Sequence, residues 1–348
     1  MRVMVTGSTG FVGFHTVMSL LHTGHEVCLG VRNPEKMRRV FEPFGVHNLD
    51  FAEGCITDEA AVSRALDNCE GVVHSAAMVN LDRKQADFVR RTNVRGTELV
   101  VGGAVERGIE SIVYVSSVTA LFTPGQQRLT EDSPLGSSTN GYGQSKVESE
   151  LYVRGLQDRG APIAIPYPAS TIGPFDPGYT EPLRGLALCL NFAVPVTSTG
   201  YQMIDVRDLG DIHTKLLENR SSGRYVVGGH YVPWADFAGL LAEVTGRHVR
   251  AIPTPGWLFR LGGRGIDLAK RIVSFDSPLT LEGTTYASKW VQADSSRMQQ
   301  ELGSEFRDLR QSLADSLLWM TDVGHLNPKW ARSGLPERAS SGLLHIGQ

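Results

Sequence analysis

The sequence has few cysteines, a small net charge and no long apolar segment. Its four cysteines, Cys28, Cys55, Cys69 and Cys189, match neither the spacing of a zinc site nor the density of a disulfide framework. We therefore predict no metal site and expect free thiols in a reducing, cytoplasmic compartment. The net charge of −3 leaves no strong basic field, which argues against a nucleic acid partner.

The chain has neither a predicted membrane span nor a predicted leader. No apolar stretch is long enough to cross a bilayer, and the first predicted strand begins at Arg2 without a charged and apolar segment before it. Its 348 residues, 41% hydrophobic and 20% charged, are typical of a globular protein with one large α/β unit or two domains.

Apolar strands alternate with helical patterns in the first half of the chain. Because these strands are apolar throughout, they are typical of a parallel sheet with helices on both faces. Right-handed crossovers then predict a doubly wound α/β fold of the Rossmann type. The predicted strands are 2–6, 25–31, 49–54, 71–77, 111–117 and 161–168, and the predicted helices are 11–23, 58–67, 84–107 and 142–159.

The alternation stops after residue 168, where glycine, proline and aromatic residues become frequent. This change predicts a first domain over 1–168, with the regular stretch 205–229 returning to its sheet. Segments 169–204 and 230–325 are predicted to form a smaller, irregular domain that binds substrate. Residues 326–348 are predicted to form a polar tail.

A glycine-rich turn follows the first strand, in the sequence Thr6-Gly7-Ser8-Thr9-Gly10-Phe11-Val12-Gly13. Glycine permits a positive φ and lets a pyrophosphate approach the backbone, and the helix that follows offers unpaired N–H groups to the phosphates. The spacing differs from GxGxxG and lacks the lysine of a P-loop, so a turn without a ligand is the alternative. The predicted dinucleotide contacts in this turn are Gly7, Thr9, Gly10, Phe11 and Val12.

The end of the second strand indicates which dinucleotide is bound. An NAD site normally has Asp or Glu there for the ribose hydroxyls, whereas NADP needs a cation for the 2′-phosphate. This strand ends in Val31-Arg32 with Lys36 shortly after it, and no carboxylate occupies the expected place. We therefore predict that Arg32 and Lys36 favour NADP(H), with NAD(H) as the alternative.

Tyr142 and Lys146 lie four residues apart at the start of a predicted helix and so share one face of it. A neighbouring ammonium, together with a positively charged nicotinamide, favours the phenolate and lowers the pKa of a tyrosine towards neutrality. Ser116 and Ser117 end the fifth strand, where ligands gather in such sheets, and either could hold a substrate oxygen.

These motifs together resemble the extended short-chain dehydrogenase/reductase family, in its epimerase/dehydratase-like group. The resemblance covers about residues 1–320, and its further matching pieces are His74-Ser75-Ala76-Ala77, Asn93-Val94-Arg95-Gly96-Thr97, Tyr167-Pro168, Gly173-Pro174 and Asp205-Val206-Arg207-Asp208. The branch that it most resembles is that of dihydroflavonol reductase and 3β-hydroxysteroid dehydrogenase.

The resemblance implies a role for each matching residue. Tyr142 would be the general acid/base, Lys146 its partner that lowers the pKa and binds the nicotinamide ribose, and Ser117, 25 residues before Tyr142, the holder of the substrate oxygen. Asn93 would lie in the helix behind the site, either as part of the catalytic set or as a buried amide that ties helix to strand. His74 would be a core histidine. Tyr142 and Lys146 are also implied to contact the cofactor, and the further cofactor contacts implied are Cys55, Ile56, Ala76, Ala77, Tyr167 and Pro168.

The family's fold supports several reactions, and fold alone does not choose among them. We expect an oxidoreductase that reduces a carbonyl or oxidises an alcohol on an apolar substrate. A nucleotide-sugar 4-epimerase is the alternative, although Ser170 stands near the place where many epimerases have Asn. The third hypothesis is a sensor protein that binds a dinucleotide but catalyses no reaction. The uncharged stretch 118–122 after the serines argues against dehydration.

Two expectations concern surfaces. Helices 84–107 and 142–159 form the dimer interface in many relatives. A homodimer and a monomer are therefore both possible oligomeric states. The segment 256–275 is basic and apolar, and it is expected either to cover the pocket or to lie on a membrane surface.

Overall fold

The computed structural model describes residues 1–78, 85–136, 141–270 and 279–331. Parts of four predicted segments fall outside these described residues: the start of helix 84–107, the end of the 256–275 segment, part of the substrate-binding segment 230–325, and the tail from 332 onwards. Within the described part of the chain, every helix is too short or too polar to cross a bilayer.

Seven parallel strands form the main sheet, in the order β10-β6-β5-β4-β1-β2-β3. The order reverses between β1 and β4, and in such sheets ligands bind outside the carboxyl ends of the strands at this point. The predicted doubly wound fold is therefore confirmed. The strands are β1 (Arg2–Thr6), β2 (Glu26–Val31), β3 (Asp50–Glu53), β4 (Gly71–His74), β5 (Ser111–Tyr114), β6 (Ile163–Pro168) and β10 (Gly223–Val227).

Helices cover both faces of this sheet. On one face, α1 (Phe11–His22), α2 (Pro34–Phe41), α8 (Val206–Glu218) and α12 (Ser296–Leu302) bury apolar side chains such as Phe14, Leu216 and Met298. On the other face lie α3 (Glu59–Leu66), α4 (Ala86–Thr97), α5 (Gly103–Glu106) and α6 (Gly141–Gln157), which bury Val62 and Val153. A π-helical turn (Glu98–Gly102) joins α4 to α5, so the helical stretch predicted for 84–107 is nearly continuous.

β4 and β5 each end three residues earlier than predicted. After β4 the chain turns over the end of β1, where Ser75 Oγ donates a hydrogen bond to the Thr6 carbonyl at 2.7 Å. After β5 the chain enters a short 3₁₀ turn (Val118–Ala120) that begins at Ser117. Both departures place loop residues at the carboxyl end of the sheet, where a ligand can reach them.

The second half of the chain is more regular than its glycine and proline content indicated. It forms a three-stranded sheet in the order β11-β9-β7 and a two-stranded sheet of β12 and β8. Strands of three to six residues are too short to show a clear periodicity. The elements are β7 (Ser170–Ile172), α7 (Glu181–Asn191), β8 (Val194–Val196), β9 (Gly200–Asp205), β11 (His230–Pro233), α9 (Trp234–Thr245), β12 (Ala251–Pro253), α10 (Gly256–Ala269), α11 (Leu281–Lys289) and α13 (Leu309–Asp322).

An ion network connects the two halves of the molecule. Asp205 caps α8 and pairs with Arg207, which also pairs with Asp315 of α13 at 2.7 Å. The packed chain also extends beyond residue 325, because Leu326 and Trp330 are buried against the helices of the C-terminal half. Leu326 and Trp330, which lie in the segment predicted as a polar tail, therefore pack as part of the C-terminal half.

Candidate active site

The glycine turn lies between the end of β1 and the start of α1. Gly7 has φ of +72°, and a Cβ there would stand 2.8 Å from the Ala76 backbone nitrogen. A Cβ on Gly13 would overlap the Gly7 carbonyl oxygen, so α1 packs directly on the turn. Only glycine fits these two positions, and the turn is held against the loop that follows β4.

The N-terminus of α1 is open towards this turn. Gly10 is its N-cap residue and no side chain caps the helix. Ser8 Oγ is buried and has no hydrogen-bond partner within the described part of the chain. Uncapped N–H groups and an unpaired buried hydroxyl are suited to phosphate oxygens, so the turn fits the diphosphate of a dinucleotide.

Asn93 fixes the loop that follows β4. Its side-chain oxygen accepts a hydrogen bond from the Met78 N–H at 2.7 Å, and its amide donates to the Met78 carbonyl at 3.1 Å. The same amide donates to Ser145 Oγ at 2.9 Å, and Ser145 in turn donates to the Tyr142 carbonyl at 2.6 Å. Asn93 is thus a buried amide that links the loop of Ala76 and Ala77 to the first turn of α6. These contacts fit the second of its two expected roles, a buried amide that positions the loop, and a catalytic role for Asn93 stays a prediction.

His74 is a core histidine, as expected. Its two ring nitrogens lie 2.7 Å from Thr6 Oγ1 and 3.3 Å from Thr97 Oγ1. Burial, and then the charge of Lys146, lower the pKa of His74 to about 3, so the ring is neutral. A neutral histidine with both nitrogens engaged connects β4 to β1 and α4 and is not available as an acid or base.

The side chains predicted to determine whether NADP(H) or NAD(H) binds lie at the ends of β2 and β3. Gly54 N–H donates to the Val31 carbonyl at 2.9 Å, which brings Cys55 beside Arg32. Arg32 and Lys36 are exposed and have no ionic partner among the residues that the structure describes. Ile56 packs against Gly96 of α4. Two cations without carboxylate partners therefore border the expected adenosine end of the site.

Tyr142, Lys146 and Glu150 occupy one face of α6 at successive four-residue intervals. Lys146 Nζ donates to the Val115 carbonyl at 3.0 Å and lies 6.0 Å from the centre of the Tyr142 ring. The hydrogen bond joins the start of α6 to the end of β5. The predicted pair is therefore assembled beside the strand end that carries Ser117.

Burial changes the pKa of both members of this pair. It lowers the pKa of Lys146 to about 8, with the Glu150 carboxylate acting in the opposite direction. Burial, and then the charge of Glu282, raise the pKa of Tyr142 to about 12. The expected lowering of the Tyr142 pKa is thus not produced by Lys146 alone. Desolvation of the phenolate outweighs an ammonium at this distance, and a second positive charge at the ring is required.

The two serines at the end of β5 face different partners. Ser116 donates its hydroxyl proton to the buried Glu150 carboxylate, so this proton is already engaged in a hydrogen bond. Ser117 Oγ accepts hydrogen bonds from the Thr119 N–H at 3.2 Å and from Thr119 Oγ1 at 2.9 Å. Because Ser117 already accepts two hydrogen bonds, its own proton is free to be donated to a substrate oxygen. The geometry favours Ser117 over Ser116 for that role.

Sequence reasoning missed Glu150, which lies at the centre of a buried network behind Lys146. Its fully buried carboxylate accepts from Ser116 and Tyr167 and pairs with Arg154 at 2.6 Å. The signal that could have revealed it is its spacing, one further turn along the face of Tyr142 and Lys146. The network connects α6 to the ends of both β5 and β6.

Tyr167, one of the predicted cofactor contacts, has its side chain in the same network. Its side chain is fully buried, donates to Glu150 and accepts from Arg154 at 3.0 Å. The phenol therefore belongs to the network and is not available to a dinucleotide. Alternate residues of a strand point to opposite faces, and the motif does not reveal which face Tyr167 occupies. Pro168, at the carboxyl end of β6, stays a predicted contact.

Helix α11 covers the catalytic face of α6. The charge of Glu282 acts on Tyr142, and Tyr286 donates to Glu282 at 2.9 Å. Beside them, the rings of Phe122 and Trp290 stack with centres 5.3 Å apart, and Tyr286 meets Phe122 at 5.2 Å. Tyr286 and the Glu282 carboxylate are thus close enough to Tyr142 for their charges to act on it, and Tyr286 joins it to the aromatic cluster of Phe122 and Trp290.

The family model that matches this arrangement covers residues 3–228, which is more than half of the chain. The chain belongs to the NAD dependent epimerase/dehydratase family. It is therefore a nicotinamide-dependent enzyme that acts on alcohol or carbonyl groups, and the predicted family is confirmed.

Two relatives in this family differ in how much of the chain they match. A Synechocystis protein assigned as a dihydroflavonol 4-reductase is 28% identical over 333 residues, 92% of this chain and 95% of its own. A Bacillus subtilis UDP-glucose 4-epimerase is 34% identical over 164 residues, 45% of this chain and 48% of its own.

A solved epimerase structure shows the same fold. The Bifidobacterium longum UDP-glucose 4-epimerase in complex with NAD⁺ and UDP is 21% identical, with a TM-score of 0.69 over 94% of this chain and 99% of its own. At this identity the likeness concerns the fold alone. In this chain, the glycine turn, the unpaired Ser8 hydroxyl and the cations beside β2 are the features that fit a dinucleotide.

Proposed function

We propose that the protein transfers hydride between NADP(H) and a carbonyl or secondary alcohol on an apolar substrate. The observation that carries this proposal is the extent of the two similarities. The reductase-like relative aligns over nearly the whole chain, including the half that covers the site, whereas the epimerase aligns over less than half. The substrate-covering half is where substrate class is determined, so the first similarity is the more informative.

In this proposal, Ser117, Tyr142 and Lys146 each have a separate role in the reaction. The nicotinamide, when bound, supplies or accepts the hydride. Ser117 donates a hydrogen bond to the substrate oxygen, and Tyr142 donates the proton to that oxygen during reduction or removes it during oxidation. Lys146, held by the Val115 carbonyl, keeps a positive charge near the phenol and stabilises its ionised form.

The lining near Tyr142 supports an apolar substrate. Tyr286 lies close enough to Tyr142 for their charges to interact, and its ring contacts those of Phe122 and Trp290; aromatic walls with few polar groups are typical of pockets for apolar molecules. A sugar diphosphate would need several cations and amides in the same region. Ser170, near the place where epimerases have Asn, interacts with Tyr201.

A nucleotide-sugar 4-epimerase is the second candidate. It is favoured by the higher identity of the epimerase relative, 34% within the aligned part. The same Tyr142, Lys146 and Ser117 would serve that reaction, so the N-terminal half does not distinguish the two activities.

The deciding experiment compares two assays on the same preparation. Purified protein is incubated with NADPH and a panel of apolar aldehydes and ketones, and separately with UDP-glucose or UDP-galactose. We expect net oxidation of NADPH with at least one carbonyl compound and no interconversion of the sugars. Sugar interconversion without net consumption of cofactor would reject the proposal and establish the second candidate.

Arg32→Asp is expected to reverse the cofactor preference. The guanidinium has no ion-pair partner in the described part of the protein and follows the end of β2, where folds of this type bind the 2′-phosphate of NADP, so its loss is expected to remove charge-assisted hydrogen bonds. We expect the dissociation constant of NADPH to rise about 10- to 100-fold, while that of NADH stays level or falls. Fluorescence titration of both dinucleotides measures the change.

Arg39→Asp is the matched control, because Arg39 is also exposed on the same segment but lies on the outer side of α2. It carries the same change of charge and should leave both dissociation constants within a factor of about two. Unchanged NADPH affinity in Arg32→Asp would instead contradict the assignment of NADP(H).

We further propose a cytoplasmic location and a homodimer. Cys28, Cys55, Cys69 and Cys189 are free thiols, which supports a reducing compartment. Helices α4 and α6 pack together and expose Phe88 and Leu151, and two exposed apolar side chains on paired helices support contact with a second copy.

A further inference from the structure

Helix α10 packs against α11 through one narrow face. A Cβ on Gly263 would lie 2.7 Å from the Thr280 carbonyl oxygen, so the two helices approach backbone to backbone. Arg260 donates to Ser288 Oγ at 2.8 Å, and Asp267 accepts from the Leu281 N–H at 3.3 Å. The polar side chains of this face are therefore satisfied by α11, and Gly263 is the residue of α10 that is buried.

The opposite side of α10 is apolar and exposed. We call it the outer face and define it by Trp257, Leu258, Leu261 and Leu268, which are between 48% and 65% exposed. Trp257, Leu261 and Leu268 follow the i, i+4, i+11 spacing of one helical stripe. The stripe from Trp257 to Leu268 covers 12 residues and is about 17 Å long, too short to span a bilayer. Scattered apolar side chains are normal on a surface, whereas four on one helix face indicate a docking site.

The segment that carries the outer face is basic, in a protein whose net charge is −3. Residues 246–270 contain five basic residues and one carboxylate, a net charge of +4; the basic residues are Arg247, Arg250, Arg260, Arg264 and Lys270. Arg264 is exposed between Leu261 and Leu268 and has no hydrogen-bond or ionic partner among residues 1–78, 85–136, 141–270 and 279–331. The local charge is therefore opposite in sign to that of the whole chain.

We propose that the outer face of α10 docks on the surface of a membrane containing anionic phospholipids. A helix with an apolar stripe, an exposed tryptophan and basic residues at its edges is the form that lies in a membrane interface. Phosphate headgroups complement the local positive charge, whereas the same face of a second copy would repel it. This inference goes beyond the proposed reaction and does not depend on it.

The position of α10 would place a bound membrane close to the active site. Helix α11 lies between α10 and Tyr142, because Glu282 acts on Tyr142 while Thr284 packs on Gly263. A membrane on the outer face would therefore lie one helix away from the catalytic side chain. The protein would be held with the cover of its active site towards the lipid.

Vesicle flotation of the full chain tests this proposal. The wild-type protein should float with vesicles of phosphatidylcholine mixed with phosphatidylglycerol, and less with phosphatidylcholine alone or at high salt. The double variant Leu258→Glu/Leu261→Glu should lower the bound fraction at least about tenfold, and Arg264→Glu should lower it by a smaller factor. Retained far-UV circular dichroism and NADPH binding show that the variants are folded.

Matched controls carry the same changes elsewhere on the surface. Val323→Glu places a charge on another exposed apolar residue, and Arg91→Glu reverses an exposed cation of α4; both should float like the wild type. Absence of wild-type flotation with the mixed vesicles would overturn the proposal. Equal flotation of the double variant would also overturn it, as would a wild-type dimer that the double variant dissociates without any vesicle binding.

Discussion

Tyr142→Phe is expected to lower kcat for carbonyl reduction by about 10²- to 10⁴-fold, the range that a positioned general acid contributes. The substitution removes the hydroxyl that gives its proton to the substrate oxygen, while the ring keeps its packing under α11. NADPH binding should change by less than a factor of about two, because the phosphate-binding turn is untouched. Steady-state turnover and a fluorescence titration on the same preparation separate the two quantities.

Tyr152→Phe is the control for this prediction. Tyr152 lies on the same helix, but its hydroxyl packs against Gly102 on the side away from the site. The control should retain the wild-type kcat. Full activity in Tyr142→Phe would show that Tyr142 is not the proton donor, and loss of NADPH binding in that variant would show a role in cofactor binding instead.

The parts of the site that sequence reasoning reached depend on local geometry. Four residues separate Tyr142 from Lys146 and therefore place them on one helix face wherever the helix lies. Gly7 and Gly13 follow a buried strand, and their spacing requires a tight turn before α1. The carboxyl ends of parallel strands meet at one edge, so the loops after β1, β4 and β5 could be expected to converge there.

The contacts that sequence reasoning did not reach depend on register and on the direction of side chains. Glu150 meets Ser116, 34 residues earlier, and Tyr167, 17 residues later, only because β5 and β6 lie side by side under α6. The resemblance implies a cofactor contact for Tyr167, but a motif gives only the position of a residue along the strand and not the face to which its side chain points. Similarly, the apolar pattern of α10 does not reveal that α11 covers only its other side.

Glu150→Gln is expected to move the pH dependence of carbonyl reduction to lower pH. In the wild type, burial lowers the pKa of Lys146 to about 8 and the Glu150 carboxylate opposes that effect. Lys146 therefore loses its charge above about pH 8, and activity should fall there. Without the carboxylate the pKa of Lys146 falls further, so the loss of activity begins below pH 8 and the variant approaches wild-type rates only in mildly acidic buffer.

The same substitution should destabilise the fold by about 3 kcal/mol, the lower end of the cost of breaking a buried ion pair, since Arg154 keeps some contact with solvent. Glu148→Gln is the control, because Glu148 lies on the same helix but pairs with Arg90 at the surface; it should leave both the pH profile and the urea midpoint unchanged. A Glu150→Gln enzyme that is slower by the same factor at every pH would show that Glu150 only supports the fold. A displaced alkaline limb would show that its carboxylate acts on the reaction through Lys146, because a purely structural change has no reason to move a proton equilibrium.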